Sequence, residues 1–486
     1  MKDVISIRDF TRSDLDSLIE QALELKREGL TNPPKGSNKK VASLFFEPST
    51  RTRVSSETAA ELDNDYVNGF AGIEGTSVKK GEPLADTVRM FEGYTYDAMV
   101  IRHSLEGAAR FSAELIDIPL INGGDGPNGH PTQTMLDLMT IKERYGNIDG
   151  LKVAFIGDLK NGRTVHSLLH AFEHYNVEPW LISPSQVALP EWRVKEYEQR
   201  TGRKVVITPD LSQAIKECDV AYMTRIQRER FAEGHDGEIE YQKVSGIYRI
   251  TGDSLTHANP NLIILHPLPR YKRNLEITMD VDRTPHAWYF RQAQNGMFMR
   301  WAILRRIFGE GFEGRPELGE LPVSEEIPIT NTGEKKENLF RFRNGTFIDH
   351  LEPGAGYQIK PLLGLMDYRE TPVLIINNLP STRHGLKDIY AIADRELSPE
   401  QLWKLSLISE RATVNIIQNG VIVRKFRPLP TRELNNIVEC QNPNCISRPE
   451  HYEHVDSRFT VESQEPLRIR CHYCERPMER GEIKLI

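Results

Sequence analysis

Between Ile7 and about Phe308 the chain alternates stretches of helical period with short runs that are apolar on both faces. That alternation limits what the first two thirds can fold into. A run with no polar face must be covered on both sides, which a parallel sheet between two layers of helices achieves. The strand-like runs are residues 41–46 (VASLFF), 97–102 (DAMVIR), 152–157 (KVAFIG), 219–223 (DVAYM) and 262–267 (LIILHP). Helical period marks residues 13–28, 134–145 and 285–307. The Gly-rich break at 146–150 (GNIDG), just ahead of a strand, predicts two α/β lobes.

Residues 309–336 have the Gly, Pro and Glu enrichment of a linker, and beyond them the pattern changes. Residues 339–343 (LFRFR) and much of 420–425 alternate as half-buried strands, whereas 398–407 is helical and 386–395 is compatible with a helix. This predicts an α+β domain followed by a small cysteine-rich one. Four of the five cysteines fall there, as Cys440 and Cys445 (CQNPNC) and Cys471 and Cys474 (CHYC). Two close pairs separated by a strand-rich stretch match a closed tetrahedral zinc site, one structural Zn²⁺ per chain; two disulfides or free thiols are the competing readings. His472 is surplus to four-coordination, and Cys218, before the 219–223 run, reads as a core thiol.

At 486 residues the chain has room for about three or four folding units. A net charge of −7 argues against nucleic acid as a partner, so any anionic ligand must be caught by local cations and helix ends. No stretch reaches the roughly 18 apolar residues of a membrane helix. The N-terminus lacks the apolar run of a signal peptide, so the cytoplasm is the expected compartment.

In residues 45–62 (FFEPSTRTRVSSETAAEL) a strand runs through hydroxyls and arginines into a helix, gathering free N–H groups and cations where an anion would sit. Taken alone, this could be an ordinary Ser N-cap with surface arginines. Five further loops change the balance. Arg102 and His103 end a strand, where α/β sheets bind ligands, and His130 and Gln133 enter a helix. Arg163 sits in a strand-to-helix loop without nucleotide-binding glycine spacing, and Arg225, Gln227 and residues 267–270 follow two more strands.

These segments, with GTSVKKGEPLADT, GDGPNGHPTQTMLDL, GDLKNGRTVHSL and DVDRTPHAWYFRQAQNGMFMR, resemble in order and spacing the catalytic chains of the aspartate carbamoyltransferase family over residues 1–310. STRTR and HPxQ are shared by carbamoyltransferases generally. The RxQ at 225–227 and Leu268 in HPLPR resemble the aspartate rather than the ornithine branch. The resemblance implies a carbamoyl-phosphate-binding domain at 1–145 and an aspartate-binding domain at 146–310 whose last helix (285–310) packs back on the first lobe. It implies that Ser49, Thr50, Arg51 and Thr52 hold the phosphate of carbamoyl phosphate. Arg102, His130 and Thr52 would grip its carbonyl oxygen, with Gln133, Pro267, Leu268 and Pro269 at the amide. Arg163, Arg225 and Gln227 would fix the carboxylates of L-aspartate. Ser77 and Lys80 would enter from a neighbouring subunit, making a trimer the minimum active unit; of all these, Arg51, Thr52, Lys80, Arg102 and His130 would carry the catalysis.

After a 311–336 linker, residues 337–486 resemble, more loosely, the family's regulatory chain, with an allosteric domain at 337–430 and a zinc domain at 431–486. This implies a natural fusion, with nucleotide effectors such as CTP or ATP meeting Asp349, Lys387, Asn415 and Lys425. Relatives carry a second lysine one helical turn after Lys387, where this chain has Ala391; Arg341 or Arg343 are candidates for the missing charge. Two alternatives stay open: another amine acceptor, and a C-terminal half that serves only for docking.

Overall fold

In the computed structural model, which describes residues 1–228, 231, 235–272, 274–329, 343–362, 372–381 and 385–486, the chain divides into two units, Met1–Pro316 and Glu317–Ile486. The first unit opens with α1 (Arg12–Glu24), whose N-terminus is closed by a capping box between Thr11 and Asp14. There follow β1 (Lys40–Phe45), α2 (Thr50–Leu62), β2 (Tyr66–Ala71), α3 (Leu84–Gly93), β3 (Ala98–His103), α4 (Ala108–Leu115), β4 (Leu120–Asp125) and α5 (Pro131–Tyr145). The four strands form a parallel sheet in the order β2-β1-β3-β4. Helix α5 starts with Pro131 at its first position and ends at Gly146 in the left-handed conformation, the usual asymmetry of helix ends.

The second lobe continues as β5 (Lys152–Ile156), α6 (Arg163–Ala171), β6 (Glu178–Ile182), α7 (Glu191–Thr201), β7 (Val206–Ile207), α8 (Leu211–Glu217), β8 (Val220–Met223), α9 (His235–Val244), β9 (Ile263–Leu265) and α10 (Tyr289–Phe308). Its sheet, β7-β6-β5-β8-β9, is again parallel. Strands β1, β5, β8 and β9 are buried almost throughout, as expected of strands covered on both faces. Helix α10 leaves the second lobe and packs on α1, α2 and α5 of the first. Its Trp301 is fully buried and donates its indole N–H to Asp63 at 3.0 Å. A Cβ at Gly29 would come within 2.9 Å of the Trp301 ring, so glycine is what admits that ring.

The second unit holds β10 (Ser324–Glu326), β11 (Gly345–Leu351), α11 (Ala355–Leu362), β12 (Val373–Ser381), β13 (Gly385–Ala393), α12 (Pro399–Ile408), β14 (Thr413–Gln418) and β15 (Val421–Pro428). The strands form an antiparallel sheet, β10-β15-β14-β11-β13-β12. Ile359 of α11 and Leu405 of α12 pack with Ile348, Tyr390, Ile392, Val414 and Phe426 from one face of that sheet. The helix-compatible stretch 386–395 is therefore corrected: it is strand β13, hydrogen-bonded to β11 on one side and β12 on the other. Most of the expected strand at 339–343 lies outside the described residues. The chain ends with β16 (Glu433–Asn435), β17 (Val438–Glu439), β18 (Arg458–Gln464), β19 (Leu467–Cys471), β20 (Pro477–Glu479) and β21 (Lys484–Leu485), in two small antiparallel sheets. Among the described residues no helix is long and apolar enough to cross a membrane.

Candidate active site

The loops that carry the charged motifs follow the carboxyl ends of β1, β3, β4, β5, β8 and β9, and they meet in a cleft of about 620 Å³ between the two lobes of the first unit. Ser49, Thr50, Arg51, Thr52, Arg102, His130, Gln133, Arg163, Arg225, Gln227, Pro267, Leu268 and Pro269 all line it. Ser49 occupies the N-cap of α2 in extended conformation, yet its side chain does not cap the helix. The positive end of α2 therefore opens on the cleft beside Arg51. Ser77 and Lys80 are not brought into this wall: they lie on an exposed single turn, Ser77–Lys80, outside the cleft lining of their own chain.

Crowding of cations is the main electrostatic feature. Burial, reinforced by Arg163 and Arg51 and opposed by Glu47, pushes Arg102 down to about 9, so it is still charged at neutral pH. Arg51 is likewise lowered, first by burial and then by Arg225. Glu47 relieves the crowding, accepting from Arg102 at 3.0 Å and from Arg163 at 3.2 Å. Sequence reasoning missed Glu47; the signal was an acid immediately before a cation-rich anion loop, where a counter-charge has to be found. Gln227 is held through its N–H to Asp158 at 3.3 Å and its side-chain amide to the Asn161 carbonyl at 2.9 Å.

His130 precedes α5, with its backbone N–H on the Ser167 hydroxyl at 3.0 Å. Arg300 donates to Thr132 Oγ1 at 3.1 Å, and that hydroxyl lies 3.4 Å from His130 Nδ1. The other ring nitrogen, Nε2, lies 3.2 Å from Thr52 Oγ1 at the cleft wall, and it carries the hydrogen in the tautomer in which Thr132 donates to Nδ1. Burial, followed by the charges of Arg102, Arg300 and Arg163, keeps this imidazole neutral by holding it well below the usual histidine value. A neutral ring with Nε2–H toward the cleft can polarise a carbonyl oxygen.

Behind the wall Asp137 is completely buried and accepts from Gln133 (2.8 Å), Gln292 (2.6 Å) and Tyr222 (2.8 Å). Burial raises its carboxyl to about 7 against the three donors. Gln292 in turn accepts from the N–H of His266 at 2.8 Å, and His266 Nδ1 accepts from the N–H of Leu268 at 2.7 Å. That last bond requires a neutral His266, in keeping with burial holding it down to about 3. Arg300, Thr132, Asp137, Tyr222 and Gln292 carried no signal in the sequence beyond their place in amphipathic or apolar runs.

In the second unit the sulfurs of Cys440, Cys445, Cys471 and Cys474 all lie within 4.8 Å of one another. Two of the separations are 3.6 Å (Cys440–Cys474) and 3.7 Å (Cys445–Cys471). A tetrahedron with metal–sulfur bonds of about 2.3 Å has edges of about 3.8 Å, so the buried four-thiol set fits a tetrahedral ion and is too open for disulfides. Asp349, Lys387, Asn415 and Lys425 come from β11, β13, β14 and β15, four neighbouring strands, and alternation places all four on the face opposite α11 and α12. Lys387 pairs with the buried Asp349 at 2.7 Å. Ala391 lies further along the same face of the strand, not one helical turn away, and is buried beside Phe347 and Ile389. Arg341 lies outside the described residues; Arg343 is exposed, and its carbonyl accepts from the N–H of Gly420 at 2.7 Å.

Known proteins share this organisation. Residues 2–143 match the family model described as aspartate/ornithine carbamoyltransferase, carbamoyl-P binding domain, and residues 149–307 match its Asp/Orn binding domain. Residues 338–428 match the aspartate carbamoyltransferase regulatory chain, allosteric domain, and residues 432–484 its metal binding domain. The aspartate carbamoyltransferase catalytic subunit of Chromobacterium violaceum is 47% identical over 312 residues, 64% of this chain and 98% of that protein. The Thermococcus onnurineus catalytic subunit is 49% identical over 312 residues, 63% of this chain and 97% of its own. Among solved structures, the M. jannaschii aspartate transcarbamoylase catalytic subunit is 41% identical with a TM-score of 0.58, covering 64% of this chain and 99% of its own. Aspartate transcarbamoylase from Trypanosoma cruzi, in complex with carbamoyl phosphate and aspartate, is 34% identical with a TM-score of 0.58, covering 62% of this chain and 95% of its own. The chain thus belongs to the aspartate carbamoyltransferase family, with the catalytic chain's domains and the regulatory chain's allosteric and metal-binding domains in one polypeptide.

Proposed function

We propose that this chain transfers the carbamoyl group of carbamoyl phosphate to the α-amine of L-aspartate, giving N-carbamoyl-L-aspartate and phosphate, an early step of pyrimidine synthesis. The observation that carries the reading is the meeting of Arg51, Arg102, Arg163 and Arg225 with a neutral His130 in one cleft. The amine attacks the carbonyl carbon, the carbon–oxygen bond to phosphorus breaks, and the departing phosphate takes the amine proton. Negative charge grows first on the carbonyl oxygen, met by Arg102, Thr52 and His130 Nε2–H, and then on the phosphate, met by Ser49, Thr50, Arg51, Thr52 and the start of α2. Arg163, Arg225 and Gln227 hold the two aspartate carboxylates, so both substrates are aligned before reaction. In this reading Glu47 occupies Arg102 and Arg163 until substrate anions replace it.

Three further assignments belong to this reading. Ser77 and Lys80, exposed and away from their own cleft, complete the site of a neighbouring subunit in a trimer. The four-thiol set holds one structural Zn²⁺, which ties the ends of the last domain together. The face bearing Lys387, Asp349, Asn415 and Lys425 takes a nucleotide effector, with the neutral Ala391 leaving two lysines for its phosphates.

The test is direct. Purified protein should release phosphate from carbamoyl phosphate only when L-aspartate is present, with ornithine inert as acceptor. Turnover with ornithine but not aspartate would favour the other acceptor and overturn the assignment.

A further inference from the structure

The part of the cleft that would meet the carbamoyl NH₂ is organised from behind by one residue that does not itself line the cleft. Asp137 lies one turn after Gln133 in α5, fully buried, and its Oδ1 accepts the side-chain NH₂ groups of both Gln133 (2.8 Å) and Gln292 (2.6 Å). Each amide turns its NH₂ toward this buried acceptor, so its oxygen, on the other side of the amide carbon, faces away from Asp137. Gln133 lines the cleft, so what it offers there is Oε1. The Gln292 oxygen, turned the other way, accepts from the N–H of His266, and the His266 ring accepts from the N–H of Leu268. Pro267 has no N–H and that of Leu268 is taken, so these residues too can offer the cleft only carbonyl oxygens. The pocket wall is therefore a set of acceptors, and Asp137 sets that polarity on both sides.

We propose that Asp137 is a positioning residue that determines donor specificity: by turning the Gln133 oxygen toward the cleft, and by holding Gln292 on His266, whose ring engages the Leu268 N–H, it builds an acceptor-lined pocket that selects an acyl phosphate bearing NH₂ over one bearing methyl. This rests on the reading that the cleft binds carbamoyl phosphate. The chemistry is asymmetric. An NH₂ donates to the acceptors, whereas a methyl of nearly the same size leaves buried oxygens unpaired, and sites built on such hydrogen bonds reject the analogue strongly.

The probe is acetyl phosphate, which places methyl where carbamoyl phosphate has NH₂. Binding of carbamoyl phosphate, acetyl phosphate and inorganic phosphate is measured by competition on wild type, Asp137→Leu and Asp137→Asn, with folding checked by circular dichroism and thermal melting. In Asp137→Leu both glutamines lose the acceptor that orients their NH₂ groups, and the preference for carbamoyl over acetyl phosphate should fall at least tenfold while the affinity for inorganic phosphate changes less than about threefold. Asp137→Asn should keep most of the preference, because one oxygen still receives both amides and its NH₂ can face the Tyr222 hydroxyl. Should Asp137→Leu not fold, Asp137→Ser, which is smaller and admits water, is read by the same ratio.

An unchanged preference in the leucine or serine variant would overturn the proposal, as would equal losses for all three ligands. Failure of both variants to fold would overturn it too, by making Asp137 a folding residue. A wild-type protein that does not use carbamoyl phosphate would instead defeat the functional reading itself, an outcome seen before any variant is compared.

Discussion

Replacing His130 with alanine removes the ring whose Nε2–H faces the cleft, and the structure allows the loss to be sized. His130 is buried, its Nδ1 lies 3.4 Å from the Thr132 hydroxyl, and Arg300 holds that hydroxyl in turn. The donor is thus preorganised in a poorly hydrated wall, the situation in which loss of one oxyanion donor costs about 2.7–4 kcal/mol, or about 100- to 1,000-fold in kcat. The Michaelis constant for aspartate should move much less, because no aspartate contact is assigned to this ring. The pH profile adds an independent check. With its folded pKa depressed well below 6.5, His130 is neutral in the native state across neutral pH, so no limb of the kcat profile near 6.5 should belong to it. For stability the sign is fixed: the contribution is fully present above the unfolded value of about 6.5 and is lost as pH falls toward the folded pKa, at about 1.4 kcal/mol per pH unit. Initial rates of carbamoyl-aspartate formation from pH 5.5 to 8.5, with nitrogen-15 spectra of labelled histidine, test both parts. A folded alanine variant within threefold of wild type would refute the reasoning. So would a His130 resonance titrating near 6.5.

Lys80→Ala and Arg51→Ala should each be nearly inactive alone, the latter losing about 1.5–3 kcal/mol of charge-assisted contact, yet recover activity when mixed and reassembled. No recovery despite proven subunit exchange would confine Lys80 to its own chain. Metal analysis should find one zinc per chain, released by thiol-blocking mercurials, and Cys471→Ala should lower the melting temperature of the last domain sharply, since metal binding there is folding free energy. Calorimetry with CTP and ATP should show nucleotide affinity falling about tenfold or more in Lys387→Ala, which also removes the ammonium from the buried Asp349. Absence of binding to wild type at millimolar concentration would remove the effector assignment.

The cation-bearing loops could be read from the sequence because their positions follow from strand order alone: a parallel strand buried on both faces ends at the edge where ligands bind, so a charged residue after each such run belongs to the cleft. Glu47 was hidden by its own charge, since an acid argues against an anion site until Arg102 and Arg163 are seen to share it. Asp137 was hidden by its position: one turn behind Gln133, it looks like a polar residue on a helix face, and only the packing of α10 and β8 against α5 shows that this face is interior. Strand β13 marks a different boundary. Ile389, Tyr390, Ala391, Ile392 and Ala393 are all buried, because α11 and α12 cover one face and the Phe347 cluster the other. Burial on both faces erases the alternation that identifies a strand, and two alanines lend the run helical propensity. What decides between the two is the pairing with β11 and β12, a tertiary fact contributed by residues about 40 positions before and about 10 positions before in the chain. The same fact bears on Ala391. In a helix a residue four positions from Lys387 would be a near neighbour, about one turn of 5.4 Å along the axis. In an extended strand it stands about 13 Å away, so a lysine there would serve a different part of any ligand, and its replacement by alanine leaves the Lys387–Asp349 pair intact.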